Sequence, residues 1–555
     1  MTNSISAESP IPQTTRLSRR DLFHLAGAGS ALMATPLAAR GFGSGFTHSV
    51  ASGEPSQTSV LLWTRYVGDV DRIEWVISKN ADLSQPVQNG EAPVSAERDY
   101  CVKVELAPNS LEPDCWYFFQ FIAPDGTRSA IGRTRTLPEG PTQNFRMAVF
   151  SCANFGFGWF NSYAHAAQAN DCDLALHLGD YLYEYESGTY PAADQAHPQR
   201  HLNPDHEIVA LSDYRLRYAT YRADPDLQRL HQIVPMIAIW DDHESANDSW
   251  RDGAQNHQPE TEGEWAVRKA VAKRVYREWM PVSDRPYAHY QVGDLATLFR
   301  LDTRLEGRDQ QFDLAKVLEG VSDPQSAMTA LSAFREGEYA DPDRQMLGLR
   351  QEQWLADALA QSRGEGTVWQ VLVQQVLMGQ LKTPPSIISM LGDELPQWAR
   401  QRLLAAAAAS LAGVPANMDA WDGYPAARER VLNSALEADA NLLVLAGDTH
   451  NGWAFELDQN GTSAGVEFGV PGVTSPGLES SLSAIPAGDF AAAAVAANEQ
   501  LVWADTSQRG YMLVELTPQR ATTEMRFVDT IRTRSARLAG TKRITCAAGS
   551  HALAI

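Results

Sequence analysis

Four apolar runs in this chain each close on side chains that bind metal ions. Phe145-Arg146-Met147-Ala148-Val149-Phe150 leads into Ser151-Cys152-Ala153-Asn154, and Asp173-Leu174-Ala175-Leu176-His177 into Leu178-Gly179-Asp180-Tyr181-Leu182-Tyr183-Glu184. Pro235-Met236-Ile237-Ala238-Ile239-Trp240 leads into Asp241-Asp242-His243-Glu244, and Asn441-Leu442-Leu443-Val444-Leu445-Ala446 into Gly447-Asp448-Thr449-His450. Open α/β sheets bind ligands in this way, at loops beyond the C-terminal ends of their strands. Such donors suit the hydrolysis of a phosphate ester, which requires neutralisation of an anion, a nucleophile and stabilisation of the transition-state charge. Two metal ions about 3.5–4 Å apart meet all three demands.

One carboxylate must then hold both ions, and Asp180 is the natural candidate. A thiolate from Cys152 and a phenolate from Tyr183, three residues beyond the bridge, favour trivalent iron, and His450 adds a nitrogen ligand. The second ion is left mostly with oxygen donors, which suits calcium, magnesium or manganese. A lone cysteine after an apolar strand reads as a core residue. Register with the other strand ends is what marks Cys152 as a ligand.

The elements that must position these groups follow from patterning. From Asn144 onward strands alternate with helical segments, which is α/β patterning. Amphipathic helices are predicted over Trp265 to Trp279, ending before Pro281, and over Gln351 to Ser362. Between Phe46 and Pro138 short alternating strands separated by turns predict a small β-sandwich. There Leu111-x-Pro113-x-x-x-Tyr117 resembles a tyrosine corner, in which the hydroxyl ties back to the backbone. His177, inside an apolar strand, is read as a core histidine.

The chain has 555 residues and a net charge of −22, a balance that argues against nucleic acid as a partner. Five scattered cysteines do not make a disulfide framework; beyond Cys152, the other four fit buried positions or at most one bridge. Near the N-terminus, Ser18-Arg19-Arg20-Asp21-Leu22-Phe23 precedes a weakly apolar stretch from Leu25 to Leu37, which reads as a twin-arginine export signal. No later run approaches the ~20 residues of a membrane span, so the mature protein is expected to be periplasmic or secreted without a transmembrane segment.

Cys152, Gly179-Asp180-Tyr181-Leu182-Tyr183-Glu184, Trp240-Asp241-Asp242-His243-Glu244 and Gly447-Asp448-Thr449-His450 together resemble the signature of the alkaline phosphatase D, or PhoD-type, branch of the calcineurin-like metallophosphoesterases. Tyr214-Arg215-Leu216-Arg217-Tyr218, Glu278-Trp279-Met280-Pro281, Leu301-Asp302-Thr303-Arg304, Trp421-Asp422-Gly423-Tyr424-Pro425 and His48-Ser49-Val50-Ala51-Ser52-Gly53-Glu54-Pro55 extend the likeness over nearly the full mature chain. The resemblance implies an α/β fold, with a metallophosphoesterase-type β-sandwich core flanked by helices and preceded by a small all-β domain of fibronectin III or immunoglobulin type. The expected divisions are a signal at 1–40, the β-sandwich at 44–140, the catalytic domain at 144–535 and a C-terminal tail at 536–555.

It further implies roles. Cys152, Asp180, Tyr183 and His450 would bind Fe3+, with Asp180 shared. Asp242 and Asp448, joined by Gln375, would bind a divalent ion, Ca2+ first, with Mg2+ or Mn2+ as alternatives. His243 would stabilise charge or protonate the leaving group, and Arg304 and Asn154 would contact phosphate oxygens, although Arg304 could equally be a structural ion-pair partner. Two departures stand out: Leu305-Glu306-Gly307-Arg308 where a Tyr-Arg pair is common in relatives, and Asn247-Asp248 where two asparagines are common. The expected function is an exported alkaline phosphatase that hydrolyses phosphate monoesters, and diesters, by a metal-bound hydroxide at a binuclear site, with the twin-arginine export machinery as a partner. The alternatives are a phosphodiesterase of phospholipase D type and, from another class, a non-catalytic extracellular binding protein.

Overall fold

A computed structural model describes residues 43–321, 323–390, 397–415 and 417–555. The segment with Arg19 and Arg20 lies outside them. Strands Phe145–Phe150, Leu174–His177 and Met236–Ala238 run parallel at the centre of a ten-stranded sheet. In a second, seven-stranded sheet, Ala296–Arg300, Trp369–Val373, Leu442–Ala446 and Thr462–Gly469 are parallel neighbours. The two sheets pack face to face through Met147, Val149, Leu176, Ile237, Val371, Leu443 and Phe468.

Helices cover both outer faces. Leu211–Arg222 and Trp265–Trp279 bury Tyr214, Tyr218, Val275 and Trp279 against the first sheet. Leu349–Gly364 and Pro425–Glu437 bury Leu355, Leu359, Val431 and Leu432 against the second. Because both faces are covered, Trp369–Val373 and Leu442–Ala446 are buried at every residue, and Leu442–Ala446 accordingly reads as an unbroken apolar run. The predicted helix at 265–279 has those bounds, and it stops at Met280, which takes an extended conformation before Pro281.

The N-terminal region departs from a self-contained sandwich. Its strands Gly45–Gly53, Leu61–Val67 and Cys101–Glu105 continue the ten-stranded sheet through the parallel contact of Gly53 with Met236, and only Gln88–Pro93, Arg72–Ser78, Trp116–Ile122 and Gly132–Arg135 form a separate sheet. Val50, Leu62, Ile77, Phe119 and Phe121 fill the space between. Tyr117 accepts a hydrogen bond from the Glu112 amide at 2.8 Å, the tie expected of a corner. A buried ion pair from Glu54 to Arg300 crosses to the second sheet. Residues beyond 535, expected to be a tail, instead pair along Arg520–Val528 as the strand Leu538–Ala547. Ile544 and Cys546 turn inward there at the two-residue period of a strand. All five cysteines are free.

His177 packs in this core, its Nε2 2.8 Å from the Tyr163 hydroxyl, and burial lowers its pKa from 6.5 to about 3. His48 and His231 are lowered by burial in the same sense. Below pH 6.5 the unfolded chain takes up protons at these rings and the native chain does not. The contribution of these rings to stability therefore falls as the pH drops through that window, by about 2 kcal/mol per fully neutral ring at pH 5. Urea unfolding of wild type beside His177→Phe isolates this contribution: the wild type should lose stability relative to the variant between pH 7.5 and pH 5, and a difference independent of pH would contradict neutral burial.

Candidate metal centre

The parallel strands of both sheets end at one edge, where His177 pairs with Phe150 and Ala238, and Val373 with Arg300 and Leu445. The loops that follow are held in uncommon backbone conformations. Cys152, Asp180, Asp448 and His450 all have positive φ, between 53° and 65°. Each such residue costs on the order of 1–3 kcal/mol and persists only where its surroundings enforce it. Gly179, at φ +104°, precedes Asp180, and a Cβ there would lie 2.3 Å from that of Asp241. Only glycine lets these two ligand loops approach so closely.

Side chains lock the loops together. Glu244 accepts from the amides of Asp180 (3.1 Å), Tyr181 (2.6 Å) and Asp241 (2.7 Å). The Cys152 amide donates to the Gly179 carbonyl and that of Ala153 to the Asp180 carbonyl. The Tyr183 hydroxyl donates to Asp180 Oδ2 at 3.0 Å, lies 3.3 Å from His450 Nε2, and accepts from Ser475 Oγ at 2.7 Å. His450 Nδ1 is 2.8 Å from the Pro476 carbonyl, which accepts its N–H. That assignment leaves the Nε2 lone pair as the free donor atom, the tautomer a metal needs.

Among the described residues, three groups of donor atoms lie within 4.8 Å of one another: Cys152, Asp180 and His450; Asp180, Asp242 and His243; and Asp241, Asp242 and Asp448. Asp180 Oδ1 and Asp241 Oδ2 are buried without any hydrogen-bond partner. Burial raises the pKa of Asp180, with Asp242 and Asp241 adding to it. For Asp448, burial, opposed by Arg304 and reinforced by Asp419 and Asp242, gives a value of about 7. Burial and the Asp180 carboxylate likewise push the Cys152 thiol and the Tyr183 phenol upward. A multivalent cation would relieve every one of these penalties, so the residues fit metal ions.

Three expected members of the site are placed otherwise. The Gln375 amide is engaged elsewhere: its Oε1 accepts from Thr303 and its Nε2 donates to the carbonyls of Trp240 and Leu301, so the amide ties strand ends together. Asn154 caps the turn at Phe155–Phe157, accepting from the Gly156 amide, and donates to the Tyr190 carbonyl. Arg304, fully buried, spends its guanidinium on Asp241, Asp419 and Asp448. Its guanidinium is thus an ion-pair partner of these carboxylates. Asp248 is close enough to Asp242 and Asp419 for their charges, after burial, to push it up to about 7.

His243 stands beside Tyr183, ring centroids 4.2 Å apart. Its Nδ1 meets Glu184 Oε2 at 2.7 Å, and Glu184 Oε1 accepts from the Asn247 amide and Asn256 Nδ2. Sequence reasoning gave no separate role to Glu184, Glu244 or Ser475. The two glutamates lie inside the recognised motifs, but only the fold shows that they face backbone amides and an imidazole.

The residues 147–525 match the family model of the PhoD-like phosphatase, and residues 32–138 that of the PhoD-like phosphatase, N-terminal domain. Alkaline phosphatase D of Bacillus subtilis (strain 168) is 32% identical over 464 residues, 78% of this chain and 70% of that protein. A solved structure of PhoD superposes with a TM-score of 0.73 at 27% identity, over 92% of both chains.

Proposed function

Because the chain belongs to the PhoD-like phosphatase family and is a phosphoric ester hydrolase, we propose that it cleaves phosphate monoesters, and diesters as well, at a binuclear metal site on this sheet edge. The observation that supports this best is the convergence of Cys152, Asp180, Tyr183 and His450 beside Asp242 and Asp448, with buried carboxylate oxygens left unpaired. The first set suits Fe3+ and the second a divalent ion, Ca2+ before Mg2+ or Mn2+. Asp180 belongs to both sides. Gln375 is left out of the ligands, since its amide is already spent.

Metal ions held there would supply Lewis acidity to the phosphoryl group and to the attacking water. The chain's own residues do the rest. Glu184 takes Nδ1 of His243 and fixes the ring, leaving Nε2 to donate to the leaving-group oxygen. Glu244 fixes the Asp180 and Asp241 loops, and Ser475 orients the Tyr183 oxygen. Arg304 holds Asp241, Asp419 and Asp448 in place as a fixed counter-charge.

Export by the twin-arginine route to the periplasm or beyond is part of the same reading. It is supported by Arg19 and Arg20 ahead of an apolar stretch, and no described helix is long and apolar enough to cross a membrane. The test of substrate class compares initial rates on p-nitrophenyl phosphate and bis-p-nitrophenyl phosphate before and after chelation. The monoester should turn over faster and both activities should vanish with the metals. A dominant diesterase rate would favour the phospholipase D-type reading, and activity that survives complete metal removal would end the metal reading.

A further inference from the structure

Three short segments interlock behind His450. The His450 carbonyl accepts from the Gly472 amide at 3.1 Å, and the Gly472 carbonyl accepts from the Gly510 amide at 3.0 Å. Pro476, whose carbonyl holds His450 Nδ1, opens a turn pinned at two more points: Leu478 donates its amide to Asn451 Oδ1 at 3.0 Å, and Glu479 donates its amide to the Thr506 carbonyl at 3.2 Å. The turn has no slack. A Cβ on Gly477 would lie 2.2 Å from Asn451 Oδ1 and 2.9 Å from both Glu479 Oε2 and the Thr506 carbonyl.

Across this turn Arg509 forms an ion pair with Glu479 Oε1. The Arg509 side chain is 13% exposed and that of Glu479 28%, so the pair is partly shielded from water. Arg509 Nη1 and Glu479 Oε2 are both buried with no other hydrogen-bond partner. Each charge therefore depends on the other, and losing one leaves a poorly solvated, unpaired ion within the turn. Arg509 also leads directly into Gly510, so one residue pair grips the segments on both sides of His450.

We propose that Arg509, acting through Glu479, is a positioning residue for His450: it clamps the 476–479 turn so that the Pro476 carbonyl keeps Nδ1 protonated and Nε2 directed at the ion shared with Cys152, Asp180 and Tyr183. The inference rests on the proposed reading of His450 as a metal ligand. Groups that orient a metal-binding histidine typically change metal affinity or activity about 10–100-fold when removed. The effect is expected at one ion only, since among the described residues the hydrogen bonds and ion pairs of the Asp242 and Asp448 side chains go to His243, Asp248 and Arg304 and not to the turn.

The test uses the full-length purified protein as wild type, Arg509→Gln, Arg509→Lys, Glu479→Gln and the double variant Arg509→Gln/Glu479→Gln. Iron and divalent metal are measured per chain, together with the visible spectrum, KM and kcat. Arg509→Gln should lose iron retention about 10–100-fold while keeping its divalent ion, with kcat falling more than KM rises. The double variant, which removes the stranded carboxylate, should recover part of the loss, and Arg509→Lys should recover more than Arg509→Gln. Full iron and an unchanged spectrum in Arg509→Gln would overturn the inference, and a rise confined to KM would make Arg509 a substrate contact instead. Equal loss of both metals in Arg509→Gln would reduce the pair to general stability and also overturn it. A wild-type protein that binds no metal would strike the reading of the site itself and this inference with it.

Discussion

Asp180→Asn is expected to strip metal from the protein and lower turnover by more than ~100-fold, beyond what loss of an outer supporting group costs. Asp180 Oδ2 faces the Tyr183 hydroxyl and lies 4.0 Å from His450 Nε2, Oδ1 is buried without a hydrogen-bond partner, and the residue also groups with Asp242 and His243. An amide keeps the shape and removes the charge that serves both sides. Its nitrogen would also present N–H bonds to positions that need a donor of electrons. Both ions should therefore weaken together, seen by elemental analysis of the purified variant. The fold should survive, because the Asp180 backbone remains tied to Glu244 and Ala153. A variant with full metal content and near-normal turnover would show that Asp180 bridges nothing.

His243→Ala should behave differently, with turnover about 10²–10⁴-fold lower and metal content close to wild type. The imidazole is held by Glu184, which is in turn held by Asn247 and Asn256, an arrangement that serves the direction of a proton donor. Substrates with good leaving groups need less protonation, so p-nitrophenyl phosphate should suffer less than an alkyl phosphate. Glu184→Gln should show the same leaving-group trend in weaker form. His243 lies near Asp180 and Asp242, so a parallel loss of metal in His243→Ala would make it a ligand.

How far the sequence revealed this architecture depended on the range of each interaction. The strand ends at Cys152, Asp180, Asp242 and Asp448 were legible because an unbroken apolar run followed by polar donors is a local pattern. Trp265–Trp279 was legible for the same reason, with its periodicity and Pro281 both in view. Gln375 and Asn154 were not, since a side-chain amide that faces backbone carbonyls looks, in sequence, like one that faces a ligand. Arg304 reads in sequence equally as a phosphate contact and as an ion-pair partner, because its partners Asp241, Asp419 and Asp448 are distant in the chain. The continuity of the N-terminal strands with the central sheet rests on Gly53 meeting Met236, a pairing no local pattern announces. Strand Leu538–Ala547 was within reach, because Ile544 and Cys546 carry the two-residue alternation; the short polar run before them obscured it.

The metal content proposed for this sheet edge is a ferric ion beside a divalent one. Elemental analysis of the purified wild-type protein, recorded with its visible spectrum and its phosphatase activity, tests it most directly. Tyr183 bound to Fe3+ should give a broad charge-transfer band and a purple or violet protein, with iron and a divalent metal in similar amounts, and Tyr183→Phe should bleach the band while the fold survives. A colourless, fully active wild-type protein containing only calcium or magnesium would contradict the ferric site.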